Sequence, residues 1–158
     1  MDAKNAIATT ALILHALSAV VWVGGMFFAH QALRPAAVIL DPGPRLRLWS
    51  GVLEKFFAWV IAAIVLLLVS GYVMVFAVFG GFAESGLHIQ LMMGIGILMM
   101  LLFSHLYFAP WRRFRGAVAR EDWTEGARQL NQIRMIVTIN LVLGLIVVAI
   151  GSSGRYWG

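Results

Sequence analysis

The sequence predicts an all-α integral membrane protein, a bundle of four antiparallel helices in one domain that covers residues 1–158. Three observations support this prediction. Hydrophobic residues make up 61% of the chain, whereas soluble globular proteins are about 45–50% apolar. The mean hydropathy is +0.88. Charged residues account for only 12% of the sequence, and they cluster between four long apolar runs.

The four apolar runs predict spanning helices at about residues 6–30, 50–79, 87–108 and 130–151. Each run approaches or exceeds the roughly 20 residues of helix that cross a bilayer. The glycine-containing segment 80–86 predicts a short turn between the second and third helices. Asp122 and Glu125 have the spacing of a capping box, which predicts that the fourth helix begins near Trp123. The second helix is expected to begin near Arg45.

Arginine and lysine predict the orientation of the bundle. They are concentrated in the connection between helices 1 and 2 and in the connection between helices 3 and 4 (Arg34, Arg45, Arg47, Lys55, Arg112, Arg113, Arg115, Arg120, Arg128, Arg134). The opposite side carries only Lys4 and Arg155. By the positive-inside rule, both termini lie on the outer, periplasmic side of a bacterial inner membrane. The net charge of +5 is interpreted as a sign that the basic loops contact anionic lipid headgroups and do not bind nucleic acid.

Aromatic and proline residues near the ends of the runs fit this topology. Tryptophan and tyrosine residues there are interpreted mainly as interfacial anchors (Trp49, Trp59, Tyr107, Trp111, Trp123, Trp157). All four prolines fall on the cytoplasmic side, where they are expected to start or end helices without breaking a span (Pro35, Pro42, Pro44, Pro110).

His15 is the first candidate for function, because it lies well inside the first apolar run. An ionisable group at membrane depth requires a partner in the protein or a metal. A helical step of about 100° per residue places Trp22 and Met26 on the same stripe as His15. Gly24 and Gly25 follow closely, and they would let a neighbouring helix or a flat ligand approach the backbone.

His88, at the outer end of the third run, is the candidate partner of His15. The leading hypothesis is a haem b group between helices 1 and 3, with His15 and His88 as axial ligands and a role in electron transfer to a redox partner or quinone. The alternative is copper binding or transport along a ladder of imidazole and thioether groups (His15, Met26, His88, Met92, Met99). A structural subunit without a cofactor is the third reading.

Other polar and small residues are assigned supporting roles. Asn140 lies inside the fourth run, where it would bond across helices or orient a ligating histidine. His30 and His105 are interpreted as interfacial residues at the cytoplasmic ends of their helices. Cysteine is absent, which excludes disulfides and thiolate sites. No hydrolase constellation is present, and enzymatic activity is left open. Glycines on the helix faces permit a homodimer.

Several segments resemble the CopD-like copper-resistance membrane proteins. The similarity runs through His15 to Phe28, Leu33 to Ala37, Gly80 to Phe82, Pro110 to Arg113, and Asn140 with Leu141. The resemblance implies a small helical membrane protein associated with copper.

A second, more distant resemblance is to the HemJ-type protoporphyrinogen oxidases, four-helix membrane proteins associated with haem b. It rests on His15 and on the segment from Leu87 to Leu91. Gln90 stands where that family has a lysine. This difference argues against the oxidase activity more than against porphyrin binding.

Overall fold

The structure, a computed structural model, describes residues 2–157 apart from the side chain of Arg155. Met1, Gly158 and that side chain, which the sequence assigns to the outer side, lie outside this description. Four long helices make up nearly all of the described residues: α1 (Ala3–Ile39), α2 (Pro42–Ala77), α3 (Leu87–Ala119) and α4 (Trp123–Ser153). Each is long and apolar enough to cross a membrane. The predicted all-α architecture with four membrane-spanning helices is confirmed.

Short connections give the bundle two distinct ends. Residues 40–41 join α1 to α2 and residues 120–122 join α3 to α4, and we call this end the basic end. The loop of residues 78–86 joins α2 to α3 at the opposite end, which also holds both termini and is called the terminal end. Gly80 (φ 78°) and Gly81 (φ 123°) adopt backbone conformations that side chains disfavour. The predicted glycine turn is therefore present.

The helix starts follow local capping chemistry. The Asp122 carboxylate accepts a hydrogen bond from the Glu125 backbone N–H at 3.0 Å, and α4 begins at Trp123 as predicted. The Glu125 side chain turns the other way and accepts hydrogen bonds from Arg128 and Gln129. The start of α2 at Pro42 lies one turn before the predicted start, because a proline needs no hydrogen bond in the first helical turn.

The expectation that every proline starts or ends a helix was wrong for two of the four. Pro35 and Pro110 lie within continuous helices and do not end them. Wider π-helical turns accompany both residues, at Ala29–Leu33 in α1 and at Tyr107–Trp111 in α3. A π turn rearranges the carbonyl groups that a proline ring would otherwise strike. A third π turn, Val20–Gly24, lies in the middle of α1.

The helices pack mainly as two pairs, α1 against α2 and α3 against α4. An aromatic cluster at mid-height joins the pairs, and we call it the aromatic core (Trp22, Phe57, Phe103, Tyr107, Trp111). The ring of Phe57 meets that of Phe103 edge-on at 5.5 Å and that of Trp111 at 5.2 Å between centroids. Trp22 meets Phe103 at 6.2 Å and so connects α1 to α3. Such contacts stabilise the bundle beyond the area that they bury.

The tryptophans interpreted as interfacial anchors differ in how far their side chains are exposed. Trp59 is 66% exposed, and its role as an interfacial anchor stays a prediction. Trp49 and Trp111 are each only 3% exposed, and for these two the interpretation was wrong. Both face the interior because α2 and α3 continue as helices beyond the apolar runs, where neighbouring helices cover them.

We predict that Phe57→Ala lowers the free energy of unfolding by about 3 kcal/mol or more, because it removes the central ring of the aromatic core. Phe28→Ala is the matched control, since Phe28 is 61% exposed and makes no comparable ring contact among the described residues. Thermal unfolding of both variants in the same detergent measures the difference. Equal losses in the two variants would contradict the assignment of Phe57 to the centre of the fold.

Candidate functional site

A cavity of about 650 Å³ lies between the two helix pairs in the half of the bundle next to the terminal end. All four helices contribute to its wall, and Phe79 and Phe82 of the loop line its outer part. Its deepest lining residues include Trp22 and Met99, at the level of the aromatic core. Most of the lining is apolar, so that each polar or soft side chain on the wall is a candidate ligand.

His15 lies on the cavity wall and is held there by α2. Its Nδ1 lies 3.0 Å from Oγ of Ser70. The Ser70 hydroxyl donates to the backbone carbonyl of Leu66 at 2.5 Å. Because a hydroxyl has only one proton, Oγ of Ser70 accepts from His15, and Nδ1 is the protonated ring nitrogen.

This hydrogen bond fixes the tautomer of His15. In a neutral imidazole with its proton on Nδ1, the lone pair lies on Nε2. Gly71 leaves room beside the ring, since a Cβ there would lie 3.5 Å from Cε1 of His15. The hydrogen bond to Ser70 therefore leaves Nε2 available as a ligand atom.

Methionine is concentrated at the cavity. Of the eight methionines in the chain, all but Met1 belong to the described residues. Five of those seven line the cavity (Met74, Met92, Met93, Met99, Met100). Met26 is buried among core side chains, and Met135 is exposed. The thioethers thus share one cavity with the imidazole of His15.

His88 lies outside the cavity lining. It packs against the chain after α4, so closely that a Cβ on Gly154 would overlap Cβ and Cγ of His88. The ring of Trp157 meets the ring of His88 edge-on at 6.4 Å. Met92, one turn further along α3, does line the cavity and packs against Gly151. The structure therefore brings together His15 and Met92, with His88 placed at the rim of the bundle.

Some of the other predicted site residues line the cavity, and the rest pack against neighbouring helices. Trp22 and Gly24 line the cavity. Gly25 faces α2, because a Cβ there would overlap the ring of Phe56. Met26 is 2% exposed and belongs to the apolar core.

The π turn at Val20–Gly24 explains the position of Met26. Regular helical spacing predicts that Met26 follows His15 on one stripe, but the π turn lies between them. One extra residue in a turn rotates the later residues by about 100° around the helix axis. Met26 consequently points into the core.

Asn140 forms a hydrogen bond between helices and does not line the cavity. Its Nδ2 donates to the carbonyl of Met99 at 3.2 Å, which joins α4 to α3. Its Oδ1 is buried without a hydrogen-bond partner among the described residues. The predicted bond across helices is present. Gln90, the residue that departs from the HemJ-type motif, donates to the carbonyls of Phe82 and Ser85 and closes the loop between α2 and α3.

Sequence reasoning missed Ser70 as the partner of His15, although a signal existed. His15 lies nine residues after Ala6, and Ser70 lies nine residues before Phe79. Both therefore sit about 13 Å inside antiparallel runs that start at the same end. Among the cavity methionines of α3, Met92 and Met99 were predicted, whereas Met93 and Met100 were missed, although they repeat the same spacing of seven residues (two turns of one face).

The donor set of the cavity is soft. Among residues 2–157, no group of three or more His, Cys, Asp or Glu side chains could hold a metal ion. The nitrogen and sulfur donors of the lining are one imidazole and five thioethers, and Tyr72 and Ser152 add two hydroxyl groups. This combination suits Cu(I) and is poorly matched to Mg²⁺, Ca²⁺ or structural Zn²⁺.

A comparison with protein-family models matches residues 50–153 to copper resistance protein D. The match covers about two thirds of the chain and includes most of α2, all of α3 and all of α4. No curated protein and no solved structure matches the chain.

We predict that Gly154→Ala lowers the free energy of unfolding by about 1–3 kcal/mol, because the new methyl group would overlap the His88 side chain. Gly94→Ala is the control, because a Cβ there meets nothing within 4 Å and alanine favours a helix interior. Thermal unfolding in detergent should show a loss for the first variant and no loss for the second. Unchanged stability of Gly154→Ala would contradict the close packing of His88 on the chain after α4.

Proposed function

Since the chain belongs to the copper resistance protein D family, we propose that it is a multi-pass membrane protein that binds copper, as Cu(I), in the cavity of its outer half. His15 would supply the nitrogen donor through Nε2. Thioethers from α2 and α3 would supply soft sulfur donors. Copper is here the substrate that the protein handles, and its donors are residues of this chain.

The observation that carries this proposal is the shared location of His15 and five methionines on one cavity wall. Methionine is an ordinary packing residue in apolar helices, so its number alone supports nothing. By contrast, the concentration of five methionines in the cavity that also holds the His15 imidazole does support a site for a soft metal ion. Met92 and Met99 lie two turns apart, about 10 Å along α3, and they extend the donors from the outer part of the cavity to its deepest part.

The aromatic core favours binding over a continuous channel. Trp22 and Phe103 meet below the cavity, and the lining contains no residue of the basic half of α3 beyond Met100. The loop with Phe79 and Phe82 lies at the opposite, outer part of the cavity. We therefore propose that copper enters from the terminal end, which the positive-inside rule predicts to face the periplasm of a bacterial inner membrane.

Copper has more support than haem. The haem hypothesis requires His15 and His88 as two axial ligands, and only His15 lines the cavity. The family match likewise points to copper. The haem hypothesis, with its redox partner or quinone, and the homodimer stay predictions without support from these observations.

We predict that the purified full chain in neutral detergent binds Cu(I) in a titration against a chromophoric Cu(I) chelator under reducing, anaerobic conditions. His15→Ala should weaken the affinity by about a hundredfold, since it removes the only imidazole of the cavity. His105→Ala is the matched control, because His105 is exposed on α3 and does not line the cavity. Equal affinities of the two variants would contradict the assignment of His15.

An optical spectrum of the same preparation separates the two cofactor hypotheses. A Soret band that sharpens on reduction with dithionite and disappears in His15→Ala would support haem and contradict the copper proposal. A colourless preparation that retains Cu(I) in the presence of the chelator supports copper.

We predict that Ser70→Ala weakens Cu(I) binding by about tenfold or more, because it removes the acceptor that holds the His15 ring in the required tautomer and orientation. Ser104→Ala is the control, since the Ser104 hydroxyl is exposed and donates only to the Met100 carbonyl of its own helix. Both affinities are measured by the same chelator competition. A Ser70 variant with unchanged affinity would show that the hydrogen bond does not prepare the ligand.

A further inference from the structure

Three arginines from three helices lie at the basic end. Arg34 lies in α1, Arg45 in the first turns of α2 and Arg134 in α4. Arg34 and Arg45 are near enough to act on the charge of Arg134 by Coulomb repulsion. Arg134 is half-buried, and its guanidinium carbon lies 5.2 Å from the centre of the Trp49 ring. Trp49 stands one turn after Arg45 on α2.

No carboxylate neutralises this cluster among the described residues. The ion pairs of the described residues join Arg47 to Glu121, Arg115 to Glu54, and Arg128 to Glu125. Arg34, Arg45 and Arg134 take part in none of them. Bringing like charges together in a partly desolvated place is unfavourable unless an anion compensates them.

Buried donors without partners lie in the same place. Nε of Arg134 and Nε1 of Trp49 are both buried, and neither has a hydrogen-bond partner among the described residues. Trp49 is only 3% exposed. Both groups are donors only. What the cluster lacks is therefore a negatively charged acceptor.

His30 adds a further polar group on the same helix face as Arg34. It precedes Arg34 by one turn of α1, and its Nδ1 is buried without a partner among the described residues. Asp41, the acidic residue between α1 and α2, is exposed and forms no ion pair with the three arginines.

We propose that Arg34, Arg45 and Arg134, the last of them over the Trp49 ring, form a binding site for a phosphate-type oxyanion at the basic end of the bundle. A guanidinium presents paired N–H donors that match the oxygens of a phosphate group. The oxyanion is either the phosphodiester of an anionic phospholipid, whose headgroup lies at the level where spanning helices leave the bilayer, or free phosphate. This site is separate from the copper cavity and does not depend on the proposed function.

The test measures ligand-dependent thermal unfolding of the full chain, delipidated in a neutral detergent. Phosphatidylglycerol, phosphatidylcholine with the same acyl chains, and inorganic phosphate are added separately. We expect phosphatidylglycerol to raise the unfolding midpoint in a saturable manner and phosphatidylcholine to leave it unchanged. In Arg134→Gln the half-saturating concentration should rise by about tenfold or more.

Arg120→Gln is the matched control, because it removes the same charge from an exposed position at the same end. Its half-saturating concentration should stay close to that of the unmodified chain. If Arg134→Gln does not fold, Arg34→Gln replaces it, since Arg34 is exposed, and the same direction of change is expected.

Each outcome decides the proposal. Stabilisation by phosphatidylglycerol alone, lost in Arg134→Gln, assigns the site to a lipid phosphate. Stabilisation by inorganic phosphate with the same loss assigns it to free phosphate. Equal responses of Arg134→Gln and the unmodified chain, or equal losses in Arg120→Gln and Arg134→Gln, would overturn the site in favour of diffuse attraction.

Discussion

The contact of aromatic rings at mid-height is the constraint on which the rest of the bundle depends. Phe57 on α2 meets Phe103 and Trp111 on α3, and Phe103 meets Trp22 on α1. These rings hold together two helix pairs that otherwise diverge around the cavity towards the terminal end. They also separate two chemical environments. Soft donors lie on one side of the rings, and uncompensated positive charge lies on the other.

The fold was predictable because its determinants are local. Four apolar runs, a glycine turn and the Asp122 cap are readable from consecutive residues, and all are present in the structure. The effect of the prolines on the helices was harder to predict. Pro35 and Pro110 normally mark helix ends, but π turns accommodate both within continuous helices. Whether a helix tolerates a proline depends on backbone adjustments that residue type alone does not encode.

The site was predictable only in part. The depth of His15 indicated a partner, and the structure provides one in Ser70 on α2. The sequence instead favoured His88 on α3, because a second histidine would supply the second axial ligand of a haem b group. Residue type identifies which groups could bind a metal. It does not identify which of them face one cavity, since this depends on how the chain after α4 packs on His88.

The π turn at Val20–Gly24 has a consequence for how related chains should be aligned. A π turn corresponds to one residue inserted into an otherwise regular helix. A homologue without this turn would be one residue shorter between His15 and Met26. A gap at this place would then record a change in helical winding, with the cavity wall preserved. Residues after the gap should be matched by their burial, since matching by distance from the histidine would pair wall positions with core positions.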